Sequence, residues 1–419
     1  MTLRMLVGTG LLMTALPLCA GGFEVDAQGA RAAGMGGACV AQASDPTALF
    51  CNPGALALIP KKKSASIGMS ASAFNQSLYQ GLPPGPGAGT AAEQIAPRTI
   101  QPHAFITLPL GANVVWGTGF YRPFAMHTEW KNPDVFAGRF TSTSSRIETY
   151  DLATTAGVSA GSSFGFGAGA IYRTSNIAAD RRLTTLSGGV AKEIASLTLK
   201  SDSRHSIGWT AGVFVRPAAS FSLGASYRSR TQANANGTGR LTQIPTNNAQ
   251  FDQLIAATFP FNQDLLLTTA SELPAQTTFG AALGGASALM LEVDAQRTDW
   301  KRVHNFSFIF PSNHVLDTTY ALGLQDAWTY RAGLRWAFPT GPQLRLGYSL
   351  SKTPLPDAGV GAFFPDSDHT TATIGAGLDW LDVAFGLTTY KQRIITTSST
   401  SLNGNYRAKS WFALMTVTK

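Results

Sequence analysis

The stretch Trp328–Phe338, WTYRAGLRWAF, sets Trp328, Tyr330, Ala332, Leu334, Trp336 and Phe338 against Thr329, Arg331, Gly333 and Arg335. Successive side chains of a strand point to opposite faces, so this reads as a strand with one apolar, aromatic face and one small or cationic face. QLRLGYSLS repeats the rule, with Leu344, Leu346, Tyr348 and Leu350 opposed to Arg345, Gly347 and Ser349. In FSLGASYRSR, Phe221, Leu223, Ala225 and Tyr227 oppose Ser222, Gly224, Ser226, Arg228 and Arg230. SFGFGAGAIYRT and LDVAFGLTTY follow it more loosely.

A soluble sandwich and a membrane barrel both produce such alternation. The barrel is favoured by what surrounds it. Trp116, Tyr121, Trp300, Trp328, Trp336, Trp380, Tyr390 and Trp411 fall near strand ends, where a barrel carries its aromatic girdles. Only 13% of residues are charged, 43 are glycine, and mean hydropathy is +0.04. Arg4 followed by the apolar MLVGTGLLMTALPL and the small Ala20 reads as an export signal, Met1–Ala20. The run is short for a spanning helix of about 20 residues. Leu18 before Cys19 argues against an acylated cysteine.

Links such as PLGAN, RPAAS, FPTGP and LDWLD read as tight periplasmic turns. Longer segments, among them residues 76–98, 123–142, 176–194, 231–271, 301–325 and 353–366, read as extracellular loops. Hydrophobic runs between Ser64 and Thr418 number about fourteen, an even count as single-chain bacterial barrels usually have. The fold class expected is all-β: a transmembrane antiparallel barrel. Inside one loop, FDQLIAATFPFNQDLLLTTASEL carries Phe259, Phe261, Leu265, Leu266 and Leu267, either an exposed capture surface or residues packed on one another.

Taken in order, several stretches resemble the FadL-type outer-membrane transporters of long-chain fatty acids and aromatic hydrocarbons. They are GGFEVDAQGARAAGMGGACVAQASDPTALFCNPGAL, GWTAGVFVRPAASFSLGASYRSR, ELPAQTTFGAAL, LEVDAQRTDWKRV, WTYRAGLRWAF and FPDSDHTTATIGAGL. The resemblance implies a 14-stranded barrel over residues 63–419, a hatch over 21–62, and passive uptake of hydrophobic compounds. Ligands would enter from an outer apolar groove, pass a lumenal pocket and leave laterally through the wall. A general porin or an adhesive structural barrel is the alternative. Asn52, Pro53 and Gly54 match the family's Asn-Pro-Ala turn, with Gly54 in place of alanine. The chain ends in Lys419 rather than the terminal aromatic typical of such barrels.

Other residues are read beside this. Arg173, Arg228, Arg331, Arg335 and Arg345 fall on inward faces, where each could meet a fatty-acid carboxylate or pair with neighbouring Asp and Glu. The first four, with Phe259, Phe261, Leu265 and Leu266, are the candidate ligand path. Gly117 and Gly119 mark either a kink in the third strand or a close fit to the hatch. Once the signal is removed only Cys39 and Cys51 remain, both in the hatch and in a disulfide-permissive compartment, so a Cys39–Cys51 bond is expected, against two buried thiols.

No catalytic site, metal site or cofactor is read. His103, His127, His205, His304, His314 and His369 lack ligand spacing, and no G-x-S-x-G occurs. The net charge of +8 has one basic cluster, Lys61–Lys63, which offers little to nucleic acid. It suits lipopolysaccharide or simple loop solvation. Expected partners are hydrophobic small molecules and the outer membrane, with the protein a monomer.

Overall fold

The computed structural model describes residues 22–95, 99–285 and 287–419; the expected signal Met1–Ala20 and its cut before Gly21 lie outside them. Among the described residues the barrel strands are β1 (Ser64–Gly81), β2 (Thr99–Pro109), β3 (Val114–Tyr121), β4 (Ser144–Ala160), β5 (Phe164–Ser187), β6 (Arg204–Ala218) and β7 (Phe221–Arg228). They continue as β8 (Gln276–Leu283), β9 (Leu289–Thr298), β10 (Ala327–Ala337), β11 (Gln343–Ser351), β12 (His369–Gly377), β13 (Leu381–Tyr390) and β14 (Gly404–Thr418). Each pairs antiparallel with the next, and β14 returns to β1 from Ser66↔Thr418 to Gly81↔Gly404. The remaining pairings close the ring of fourteen into a barrel without a terminal edge strand.

The alternation sorts as the sequence expects. Leu346, Tyr348, Trp336, Ile374 and Phe385 are exposed on the outer face, while Arg345, Arg331 and Thr373 are buried in the interior. Short links join the strands at one end, for example Ala218 to Phe221 and Gly377 to Leu381.

At the other end the structure departs from a barrel topped by irregular loops. β5 runs for 24 residues and turns at Gly188–Gly189 into Val190–Ser201, a strand that never enters the barrel ring. Ala235–Gln243, Asp264–Ala270, Asn305–Ile309 and Thr318–Ala321 extend this outer sheet. Their cross-strand pairs cannot be read from periodicity alone, because the partner is distant in sequence. The helix Ala249–Thr258 is capped by Asn248, whose side chain accepts from the Phe251 amide. Residues 353–366 fold inward: Leu355, Val360, Ala362, Phe363 and Phe364 are buried.

Candidate functional site: the filled lumen and the interrupted wall

Residues 22–60 run inside the barrel, and the wall is glycine where they touch it. A Cβ on Gly347 would sit 2.0 Å from the Gly36 nitrogen, and one on Gly212 2.1 Å from Asn52 Oδ1. Similar contacts join Gly375 to Gly34, Gly224 to Val40, and Gly167 to Pro53. The small inward face thus has a packing cause: backbone lies against backbone around most of the ring.

Polar groups fix the segment. The Arg331 guanidinium meets Asp26 at 2.8 Å, and Arg31 bridges Asp45 at 3.1 Å and Asp382 at 3.0 Å. Asp294 accepts from the Cys39 and Val40 amides at 2.8 and 3.2 Å, and Glu292 from the Ala41 amide at 2.6 Å. Asn52 donates to the Val40 and Val213 carbonyls at 2.8 and 3.0 Å and accepts from the Gly54 amide at 2.9 Å. Asn52 therefore links both arms of its own turn to β6. Cys39 and Cys51 stand at a Cα separation of 5.7 Å with sulfurs at bonding distance.

The inward arginines are largely engaged within the protein. Arg173 is fully buried, holding Asp151 at 2.6 and 2.8 Å and the Thr231 hydroxyl at 2.9 Å. Arg228 donates to Gln276 and to the Phe50 carbonyl and lies 4.3 Å from the Phe50 ring centroid. Arg345 meets Asp382 at 2.7 Å. Arg335 lies at the short-turn end, donating to the Gly285 and Ser287 carbonyls. Arg173 also lies 5.1 Å from the Phe124 ring centroid, at the margin of the aromatic core described next.

A packed aromatic core lies on the long-loop side. Phe23 packs edge-on against Trp300 at 4.5 Å, Phe306 and Phe364 at 5.9 Å, and Phe124 at 6.1 Å. Tyr320 stacks on Phe363 at 3.9 Å. A cavity of about 320 Å³ beside this stack is lined by Phe140, Leu322, Tyr320, Phe363 and Arg181. Arg181 reaches the Thr318 hydroxyl at 3.3 Å, and its buried Nε has no partner among the described residues. Of the loop residues singled out earlier, Leu266 faces out at 74% exposure, as does Leu254 on the helix of the same loop. Phe259, Phe261 and Leu265 pack partly against this aromatic core, and Leu267 is buried.

The wall is interrupted beside Phe23. The β2–β3 ladder ends at Ala104↔Phe120, and β3's pairing with β4 stops at Tyr121↔Asp151, resuming one residue out of step at Ala125↔Glu148. Pro123 lacks an amide donor, which suits the break. The amino-terminal segment covers it: Val25 N–H donates to the Pro123 carbonyl at 2.9 Å, Ala125 N–H to the Phe23 carbonyl at 2.8 Å, and Gln28 to the Arg122 carbonyl at 2.7 Å. Gly117 and Gly119 lie just before the break, in unbroken register. Added Cβ atoms there would meet Leu49 at 3.0 Å and Phe105 at 2.5 Å. The Gly22 amide donates to Asp366 at 3.2 Å, which also accepts from the Thr353 hydroxyl; burial holds this carboxyl above the usual aspartate range.

Sequence reasoning missed Glu292, Asp294, Phe23 and Pro123, and it read Asp366 of DSDH as a solvated loop charge where the structure buries it against Gly22. A signal existed for the first two. In LMLEVDAQRT the acids alternate with Leu291, Val293 and Ala295, and carboxylates on an inward face call for a filled lumen.

A closed antiparallel barrel whose interior is packed by its own amino-terminal segment, with an aromatic core beside a covered wall break, is the architecture of a plugged outer-membrane barrel. The chain belongs to the outer membrane protein transport protein family (OMPP1/FadL/TodX), whose model matches residues 11–419. Among solved structures, a Pseudomonas aeruginosa FadL homologue is similar at 20% identity, covering 95% of this chain and 99% of that one, with a TM-score of 0.80. The P. putida toluene transporter TodX is similar at 17% identity, covering 94% and 98%, TM-score 0.72. The Ralstonia pickettii toluene transporter TbuX follows at 16% identity, covering 94% and 98%, TM-score 0.67. No curated protein matches in sequence. The family and these neighbours are transport channels, not enzymes.

Proposed function

We propose that this protein carries hydrophobic small molecules passively across the outer membrane, with residues 22–60 as a hatch and the β2–β3 break as a lateral exit. The observation that carries the reading is the seam between Phe23–Val25 and Pro123–Ala125. A segment pairing with the wall where the wall fails to pair with itself can be released to open it. Each CH₂ that a ligand buries at an apolar site is worth about 0.8 kcal/mol, enough for capture without an energy source.

Two ligand types suit different parts of the long-loop end. The aromatic rings about Phe23, if parted, would suit neutral aromatic hydrocarbons, as transported by the toluene channels named above. The cavity at Arg181 sets a cation among aromatic rings and the hydroxyls of Thr141, Thr318, Thr319, Ser399 and Thr400, which suits the carboxylate of a long-chain fatty acid. We favour an amphiphile headed at Arg181, because a half-buried guanidinium is a costly lining for a purely apolar cargo. Leu254 and Leu266 contribute to outer capture.

The test is uptake of labelled palmitate, decane and toluene by a deletion strain carrying the wild-type chain or an empty vector. The chain should restore palmitate entry. Unchanged uptake of all three would leave a general porin or an adhesive barrel as the better account.

A further inference from the structure

The basic run Lys61–Lys63 and Lys419 are far apart in the chain and adjacent in the fold. Ala65 N–H donates to the Lys419 carbonyl and Lys419 N–H to the Ala65 carbonyl, both at 2.9 Å, and the Ser64 hydroxyl donates to the Lys419 carbonyl at 2.7 Å. Residues directly opposite each other in an antiparallel pair share a face. Ala65 is exposed while Ser64 and Ser66 are buried, so Lys419 projects from the outer face of the wall. Further along that face the pairs are Ile67↔Val417 and Met69↔Met415, and Ile106 of β2 stands opposite Ala65. Ile67, Met69, Met415 and Ile106 are all exposed. Lys62 and Lys63 lead straight into β1 and are exposed, as is Lys61, whose Nζ also donates to the Ala57 carbonyl. The lysines thus gather at the end of an apolar strip.

That end coincides with the membrane boundary. Trp380, in the short link between β12 and β13, accepts through its carbonyl from the Thr418 amide at 2.9 Å and exposes its ring. Trp336 and Phe338 are exposed at the same end of β10. Exposed aromatics at strand ends mark the interface between apolar slab and water. A lysine there rests its stem on apolar surface and holds its ammonium group at head-group height.

The charge is uncompensated. Among the described residues lysine pairs with a carboxylate at Lys131–Glu93 and Lys352–Asp368, both at the long-loop end. In the short links between strands Asp379 is the one acidic residue. Four ammonium groups stand against it.

We propose that Lys62, Lys63 and Lys419 bind the phosphate of an anionic phospholipid in the leaflet facing the short turns, with an acyl chain along Ile67, Met69 and Met415. The lipid moors the point where residues 22–60 join the wall. The setting selects this occupant over an acidic protein segment, because the ammonium groups border a lipid-facing apolar strip, and each lysine beside an anionic leaflet adds to the attraction. The site is at the opposite end from the long loops, so lipids of the other leaflet do not reach it.

The experiment titrates the purified full-length protein in detergent with dioleoyl-phosphatidylglycerol or zwitterionic dioleoyl-phosphatidylcholine, with native mass spectrometry counting bound lipid. Phosphatidylglycerol should bind about tenfold or more tightly. Neither inorganic phosphate nor hexaglutamate at equal concentration should displace it. The triple variant Lys62→Gln, Lys63→Gln, Lys419→Gln should erase the preference. A variant of matched charge at exposed long-loop lysines, Lys192→Gln, Lys200→Gln, Lys301→Gln, should keep it. Equal binding of the two lipids, displacement by phosphate or hexaglutamate, survival of the preference in the folded first variant, or its loss in the second would overturn the proposal. The wild-type comparison of lipids stands even where a variant fails to fold.

Discussion

The amide of Ala125 donates to the carbonyl of Phe23 over 2.8 Å, so the strand break after Tyr121 is stitched by the chain's own amino-terminal residues. Two further bonds, Val25 to Pro123 and Gln28 to Arg122, complete the seam. Replacing Val25 by proline deletes one donor and leaves the Pro123 carbonyl unpaired, at a cost of roughly 1–3 kcal/mol to the closed state. Entry of a hydrophobic dye into proteoliposomes should rise about tenfold while the barrel stays folded. Unchanged entry would count against the amino-terminal segment as the gate.

Cys39 and Cys51 close a loop with a sequence separation of 12. In the chain-entropy model such a bond stabilises by up to ~3 kcal/mol. Intact mass with an alkylating agent, with and without reductant, should show two protected cysteines that become reactive only on reduction. Two reactive thiols in the untreated protein would end the assignment.

Asn52 makes three hydrogen bonds from a fully buried position. Asn52→Ala should loosen residues 50–56 by about 2–4 kcal/mol, since buried backbone partners lose their mates. Limited proteolysis within this stretch should accelerate, with heat-modifiable migration of the barrel preserved. Gly212→Val should do the same by bulk, because its Cβ would fall on Asn52 Oδ1.

Arg181→Gln tests the cargo. Palmitate uptake should fall about tenfold or more, the worth of a charged hydrogen bond, while decane and toluene change little. An equal fall for all three would assign Arg181 to folding rather than to recognition.

Asp366 predicts a pH dependence. Its folded pKa is raised above the ordinary 3.8 by burial, partly offset by His369 and by the bonds from Thr353, Ser367 and Gly22. Its contribution is therefore full at low pH and is lost as pH climbs above that ordinary value. Asp366→Asn carries no charge at any pH, so its thermal midpoint should gain on the wild type as pH rises above about 4. A difference that stays flat over that range would remove Asp366 from the pH response.

The barrel was legible because its code is local. WTYRAGLRWAF displays both faces of one strand within its own length, and the structure orients Trp328, Tyr330, Arg331 and Gly333 as that period requires. The lumen was less so. Arg331 reads as inward from sequence, but its partner Asp26 lies 305 positions away, and nothing in either stretch announces the other. The wall break was harder to place for a related reason. Gly117 and Gly119 carry a compositional mark that suits a kink or a close fit to the hatch; the close contacts with Leu49 and Phe105 support the second, and the ladders end only at Phe120 and Tyr121. The outer sheet stayed hidden because its strands pair across loops, where polar turn residues mask the alternation.

One consequence follows from the length of β5. Its 24 residues, at about 3.3 Å each, make a contour of roughly 80 Å, and even tilted by about 45° they climb well past the ~30 Å apolar slab. Its outer part, paired with Val190–Ser201, therefore stands clear of the apolar slab and raises a ledge of protein above it on one side of the ring, while strands such as Phe221–Arg228 stop far shorter.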